Sequence, residues 1–183
     1  MEVEIKLRLA SVAEGRLRLR KAGFRVVKRR VFEQNVIFDV QEQTLRRRGV
    51  VLRLRTAGAR SLVTFKGPGE PGKHKIRQEI EFELKQGGAP RLVQVLEALG
   101  YYPAFRYEKY RTEYILPTGA GVAPSGVAML DETPVGVFLE LEGPPRWIDR
   151  TARRLGFREA DYITATYAGL HRSAGRGPRD MLF

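Results

Sequence analysis

The chain contains no cysteine. Disulfides, thiol nucleophiles and thiolate-ligated zinc are therefore excluded. Histidine is nearly as scarce: only His74 and His171 occur, set among basic residues (Lys73, Lys75, Arg172) with no second imidazole nearby in sequence. A histidine-rich metal site or a Ser-His-Asp relay has little to be built from, and both side chains read as solvated loop histidines. No apolar run is long enough to span a bilayer. Met1-Glu2-Val3-Glu4 places acids where a signal peptide needs bases, so the expectation is a cytoplasmic protein with no membrane partner. Any enzymatic chemistry must rest on carboxylates, lysine and arginine.

What is present points to anions. The chain has 183 residues, 43% of them hydrophobic, enough for one core and one domain. With 33 Lys+Arg against 21 Asp+Glu the net charge is +12, which favours polyanionic partners such as nucleotide phosphates, polyphosphate or nucleic acid.

Alternation of period two dominates the pattern. Residues 2–9 exchange charged and apolar residues strictly, and similar runs fall at 32–39, 50–56, 61–66, 76–84, 105–116, 127–131 and 135–142. These predict eight strands. Helices are predicted at 11–23, opened by a Ser11/Glu14 capping box, at 90–99, 145–155 and 159–170, with a short turn at 42–48. The spacing gives one α+β domain over 1–172, followed by a flexible basic tail over 173–183.

Side chains at i and i+2 share one face of a strand. The charged faces carry Glu2, Glu4, Lys6 and Arg8; Arg53 and Arg55; Thr64 and Lys66; Arg77, Glu79, Glu81 and Glu83; Lys109, Arg111 and Glu113; Glu140 and Glu142. The opposite faces carry Val3, Ile5, Leu7, Leu52, Leu54, Val63, Phe65, Ile80, Phe82, Leu139 and Leu141. Glu-x-Glu recurs at 2/4, 79/81 and 140/142, each pair roughly 7 Å apart on one face. Like charges that close need a cation between them. Eight antiparallel strands can close around a lumen for a small ligand. A barrel with its charged faces inward and helices over its apolar outside would offer acids for a hard divalent cation and bases for phosphate.

The opening Glu2-x-Glu4-x-Lys6 resembles the signature of the CYTH, or triphosphate tunnel metalloenzyme, superfamily. The later pieces follow in that family's order: Gln34-Asn35, Phe38-Asp39, Leu45, Leu52-Arg53-Leu54-Arg55, Thr64-Phe65-Lys66, Arg77-x-Glu79-x-Glu81, Lys109-x-Arg111, Asp131 and Gly136-x-Phe138-x-Glu140-x-Glu142. The resemblance covers about 1–170 and implies an eight-stranded antiparallel tunnel that takes triphosphates with Mg²⁺ or Mn²⁺. It further implies metal ligation by Glu2, Glu4, Glu79, Glu81, Glu140 and Glu142. Substrate would be bound by Lys6, Arg53, Arg55, Lys66, Arg77, Lys109 and Arg111, with Glu2, Glu4, Lys6 and Arg55 at the catalytic centre. Hydrolysis of inorganic triphosphate or a similar small triphosphate is the reaction implied first. The alternatives are cyclisation of ATP, as in class IV adenylyl cyclases, and a non-catalytic module for polyphosphate or the 5′ triphosphate of RNA. The protein is expected as a monomer or homodimer. Two positions depart from the relatives. Thr164-Ala165-Thr166 stands where several triphosphatases carry a helical lysine, and Val137 stands where typical cyclases of this class carry histidine.

Three other features have simpler readings. Gly67-x-x-x-x-Gly72-Lys73 is a near match to a P-loop, but His74 and an alternating strand follow where Ser/Thr and a helix are required. Lys28-Arg29-Arg30 and Arg46-Arg47-Arg48 read as solvated basic runs. The cluster Tyr101, Tyr102, Phe105, Tyr107 and Tyr110 reads as barrel-wall packing.

Overall fold

The structure, a computed structural model, describes residues 1–119, 121–175 and 180–183. Its strands are β1 Glu2–Leu9, β2 Arg25–Asp39, β3 Val51–Ala57, β4 Arg60–Lys66, β5 Lys75–Arg77, β6 Glu79–Leu84, β7 Tyr102–Ile115, β8 Val127–Thr133 and β9 Gly136–Glu142. The helices are α1 Val12–Lys21, α2 Thr44–Arg47, α3 Gly88–Ala98, α4 Pro145–Arg154 and α5 Tyr167–Ser173, with a 3₁₀ turn at Glu159–Asp161. The strands form one antiparallel sheet in the order β5-β1-β9-β8-β7-β2-β3-β4-β6, curled into a nearly closed barrel with one seam.

Nine strands replace the expected eight, and the reason is local. The run 76–84 breaks at Gln78: its first part pairs with β1 through Glu2↔Arg77, and its second pairs with β4 through Lys66↔Glu79. One stretch of chain thus serves both edges of the sheet and brings the ends of the barrel together. Strand β2 also begins earlier than the alternation suggested. Register shifts between Val26/Lys28 and Lys28/Val31 break the period of two there, hiding the strand from a pattern reading.

The predicted inversion of faces is present. Ile5, Leu7, Leu9, Leu139 and Leu141 point outward into a core completed by Leu19 of α1, by Ala22 just after it, and by Trp147, Ile148 and Ala152 of α4. Helix α3 covers Phe38, Leu54 and Val63 with Leu96. Its end is set by Gly100 at φ 84°, a conformation that costs other residues a steric penalty. Ser11 Oγ accepts from Glu14 N at 3.1 Å and the Glu14 carboxylate accepts from Ala10 N at 2.7 Å, so α1 starts where its capping box placed it.

The helical cover is incomplete. Ile80 and Phe82, expected beneath a helix, are 53% and 54% exposed on the outer face of β6. Arg8, expected on the inner charged face, is exposed and lies 4.7 Å over the Phe138 ring.

The predicted helix 159–170 is absent in that form. Ile163 is extended and exchanges two hydrogen bonds with Lys6 of β1, each 2.9 Å, covering the strand edge that β5 leaves free. The β-branched Ile163, Thr164 and Thr166 suit that conformation. Helix α5 begins only after Thr166, whose Oγ1 caps Gly169 N at 3.1 Å.

The tail does not behave as a frayed end in its described parts. Residue 173 finishes α5. Asp180 accepts from Arg106 N at 2.7 Å, and Met181 exchanges backbone hydrogen bonds with Arg106 and Glu108 and is fully buried. Residues 176–179 lie outside the described residues. Among the described residues no helix is long and apolar enough to cross a membrane.

Candidate functional site: a charged tunnel

Because each strand sends alternate side chains inward, the barrel collects its charges in one cavity of about 790 Å³. Its wall includes every residue singled out as a candidate ligand: Glu2, Glu4, Lys6, Arg53, Arg55, Lys66, Arg77, Glu79, Glu81, Lys109, Arg111, Glu140 and Glu142. They form two networks joined by Lys6, which pairs with Glu4 at 3.5 Å and with Glu140 at 3.3 Å.

The first surrounds the N-terminal Glu-x-Glu pair. Lys66 Nζ donates to Glu2 at 2.5 Å across the barrel junction, and Arg77 spans both acids, with Nε at 2.9 Å from Glu2 and Nη2 at 3.3 Å from Glu4. Lys75 donates to Glu4 at 2.9 Å. The cation that the charge pattern required between Glu2 and Glu4 is therefore Arg77. Burial alone would push the Glu4 carboxyl up, but the charges of Lys6 and Lys75 outweigh it and hold the group well below its usual range. Lys75 moves the other way: burial, aided by Lys6 and Arg77, brings its ammonium down to about 8 against the pull of Glu4.

The second network is centred on Asp131, which is completely buried. It accepts from Lys109 at 2.7 Å, from Arg111 through two nitrogens at 2.7 and 2.6 Å, and from the Tyr167 hydroxyl at 2.7 Å. Arg111 also reaches Glu140, which pairs with Lys6 at 3.3 Å. Nearer β6, Arg53 donates to Thr64 at 2.9 Å and contacts Glu81 at 3.4 Å.

The metal reading can be tested on the donor set. Among the described residues no three carboxylate or histidine groups converge tightly enough to enclose a metal ion, because lysines and arginines occupy most of the acids. Glu142 is different. Burial and the neighbouring charges of Glu2, Glu4 and Glu79 push its carboxyl up to about 7, against the pull of Lys66. Carboxylates that repel one another at the end of a tunnel are a donor set suited to a hard divalent cation. Glu2, Glu4 and Glu142 are therefore the acids whose repulsion such an ion would relieve, although with their present lysine and arginine partners they do not enclose one.

Several groups in the tunnel wall or buried behind it escaped the sequence reading. Lys75 was recoverable, since Lys75-x-Arg77-x-Glu79 continues one face, and only the break at Gln78 obscures it. Tyr167 carried no local signal and reaches the site only because α5 crosses it. Glu33 is 1% exposed, lies 3.4 Å from Arg55 and 3.8 Å from Lys109, and has no hydrogen-bond partner on either oxygen. Burial would raise its carboxyl, but Lys109, Arg111, Arg55 and Arg53 together bring it down to about 2. A carboxyl whose pKa falls on folding stabilises the protein above its unfolded value and loses that contribution as pH drops toward its folded value. Glu33→Gln is expected to destabilise the protein by about 3 kcal/mol at pH 7. The gap from wild type should close as pH falls from about 4.5 to about 2. Denaturant titrations across that range check this, and a gap that does not change with pH contradicts it.

Both histidines are buried rather than solvated. His74 Nε2 lies 2.8 Å from Asp149, which also accepts from Tyr162 at 3.2 Å, tying the loop before β5 to α4. His171 packs against Phe105 with ring centroids 5.9 Å apart. The glycine-rich stretch from Gly67 joins β4 to β5 without a helix.

Comparison with known proteins agrees with this architecture. A Methanocaldococcus jannaschii protein provisionally named an adenylate cyclase is 29% identical over 147 residues, covering 78% of this chain and 76% of its own. Among solved structures, a provisionally named adenylate cyclase from Vibrio parahaemolyticus superposes with a TM-score of 0.76 at 20% identity, covering 93% of this chain and 97% of its own. A provisionally named adenylyl cyclase from Hippeastrum, described as revealing a dominant triphosphatase activity, superposes with a TM-score of 0.69 at 18% identity, covering 95% and 96%. Residues 1–167 match the CYTH domain, and the chain belongs to that family.

Proposed function

We propose that the tunnel hydrolyses a small triphosphate, inorganic triphosphate or a close relative, to diphosphate and phosphate with Mg²⁺ or Mn²⁺. The observation that carries this reading is the placement of Lys6, Arg53, Arg55, Lys66, Arg77, Lys109 and Arg111 around one cavity that also holds the Glu2/Glu4/Glu142 acids. Arginine forks match phosphate oxygens bidentately, and lysine adds compact charge. Each cation is held in the free protein by a carboxylate, so an entering polyphosphate exchanges partners rather than meeting disordered side chains. It would take over Lys66 and Arg77, and Glu2 and Glu4, freed of those partners, would with Glu142 be the residues to hold a divalent ion. Glu79 and Glu140, whose charges act on that set, and Glu81 on the same wall would support it. When bound, such an ion neutralises phosphate charge and polarises phosphorus toward in-line attack. Lys6 and Arg55, both on the cavity wall, would stabilise charge that develops on the transferring group in the transition state.

The names of the relatives keep a second reaction in view, cyclisation of ATP. ³¹P NMR of the protein with Mg²⁺ or Mn²⁺ and an equal mixture of tripolyphosphate and ATP decides between them. Orthophosphate and pyrophosphate from tripolyphosphate, with ATP largely intact, is the expected result. Cyclic AMP with pyrophosphate would replace hydrolysis by cyclisation. No change in either substrate with either metal would favour a binding module for polyphosphate or RNA 5′ triphosphate.

A further inference from the structure

Two cations on the cavity wall belong to neither ionic network. Arg46, on α2, and Arg172, on α5, both line the cavity, and neither forms an ion pair with a carboxylate among the described residues. They enter from elements far apart in sequence, yet burial and the Arg46 charge together hold the Arg172 guanidinium below its ordinary value. Two like charges that share a wall, neither of them in an ion pair, are unfavourable in the free protein and favourable around an anion.

The position of Arg46 is built. Asp39, 3% exposed at the end of β2, accepts from the backbone N–H groups of Val40, Leu45 and Arg46 at 2.8, 2.9 and 2.9 Å. The hydrogen bonds of this carboxylate, which also lines the cavity, go to the backbone that carries Arg46, and among the described residues it forms no ion pair with the guanidinium. Arg46 Nη1 donates to Gln43 Oε1 at 2.8 Å, which orients the fork without adding charge. Gln43 takes a left-handed backbone, φ 53°, that glutamine adopts at some cost. The Thr166 cap fixes the start of the helix that presents Arg172, and both arginines are exposed to solvent at the cavity wall. The cavity volume, about 790 Å³, is within the range of sites that enclose whole drug-sized ligands, leaving room beyond a triphosphate.

We infer that Arg46 and Arg172 form a second anion-binding site in the tunnel, which takes a phosphate group beyond the third of an oligophosphate. This rests on the triphosphate reading above and extends it toward substrates with a longer anionic chain.

Calorimetric titrations with tripolyphosphate and tetrapolyphosphate in EDTA, where nothing is turned over, test the site. Wild-type protein should bind tetrapolyphosphate about tenfold more tightly than tripolyphosphate, the gain of one set of charge-assisted contacts. In Arg46→Gln/Arg172→Gln that ratio should fall to near one. Arg20→Gln/Lys21→Gln, which removes the same charge from the exposed end of α1, should keep it. Three results overturn the inference: a wild-type ratio near one, a ratio that survives the tunnel pair, or one lost equally with the α1 pair. A wild-type ratio near one with firm tripolyphosphate binding leaves the triphosphate reading standing. Failure of both anions to bind counts against both.

Discussion

Glu4→Gln should lower turnover of tripolyphosphate by about 10²–10³-fold while leaving its binding intact or tighter. Glu4 faces Lys6, Lys75 and Arg77 from the centre of the first network. In the proposed reaction its role is to hold the divalent ion, which matters most as charge develops on the transferring phosphoryl group. Glutamine keeps the shape and removes the charge. Tripolyphosphate in EDTA sees only the cations, and these are less neutralised in the variant. The expected signature is therefore a split: phosphate release falls steeply, whereas the calorimetric dissociation constant holds or drops. Full turnover in Glu4→Gln would remove the carboxylate from the mechanism. Equal loss of binding and turnover would make it part of the architecture alone.

The largest expected effect on stability is at Asp131. Asp131→Asn leaves Lys109 and Arg111 buried with half of their compensation gone and deprives the Tyr167 hydroxyl of a charged acceptor. Breaking a buried ionic cluster from one side costs about 3–5 kcal/mol. For a chain of this length that corresponds to a fall in Tm of about 10 °C. Because the uncompensated groups are cations on a tunnel wall, tripolyphosphate should restore more of the lost Tm in the variant than it adds to the wild type. Thermal unfolding by circular dichroism with and without tripolyphosphate checks both parts. A variant that melts within about 2 °C of wild type would show that Glu140 and Glu33 carry the countercharge instead.

Much of this molecule was legible in alternation alone, because a barrel wall obeys a period of two and puts charge on one face. Glu2-x-Glu4-x-Lys6 and Glu140-x-Glu142 announced both the strands and the direction of their side chains. The pattern failed where the backbone departs from that period. At Gln78 one run became two strands with different partners, and at Val26–Val31 register shifts hid half of a long strand. It failed again where a residue's role is set across the fold. Nothing near Tyr167 or Met181 in sequence shows that each reaches the tunnel or its wall. Ile80 and Phe82 read as core because alternation reports a face and not what covers it.

The covering of β1 has a consequence for how the molecule is made. Its partners are Val137 to Glu142 on one side, and Lys75–Arg77 followed by Ile163 on the other. The strand that carries Glu2, Glu4 and Lys6 thus leaves the ribosome well before β9 and waits for it. At ordinary synthesis rates of about 5–20 residues per second, that is a delay on the order of ten seconds. Contacts so distant along the chain close slowly. The ionic centre of the tunnel is among the last parts to form, and until then its acids and bases are held by water and by whatever ions the cell supplies.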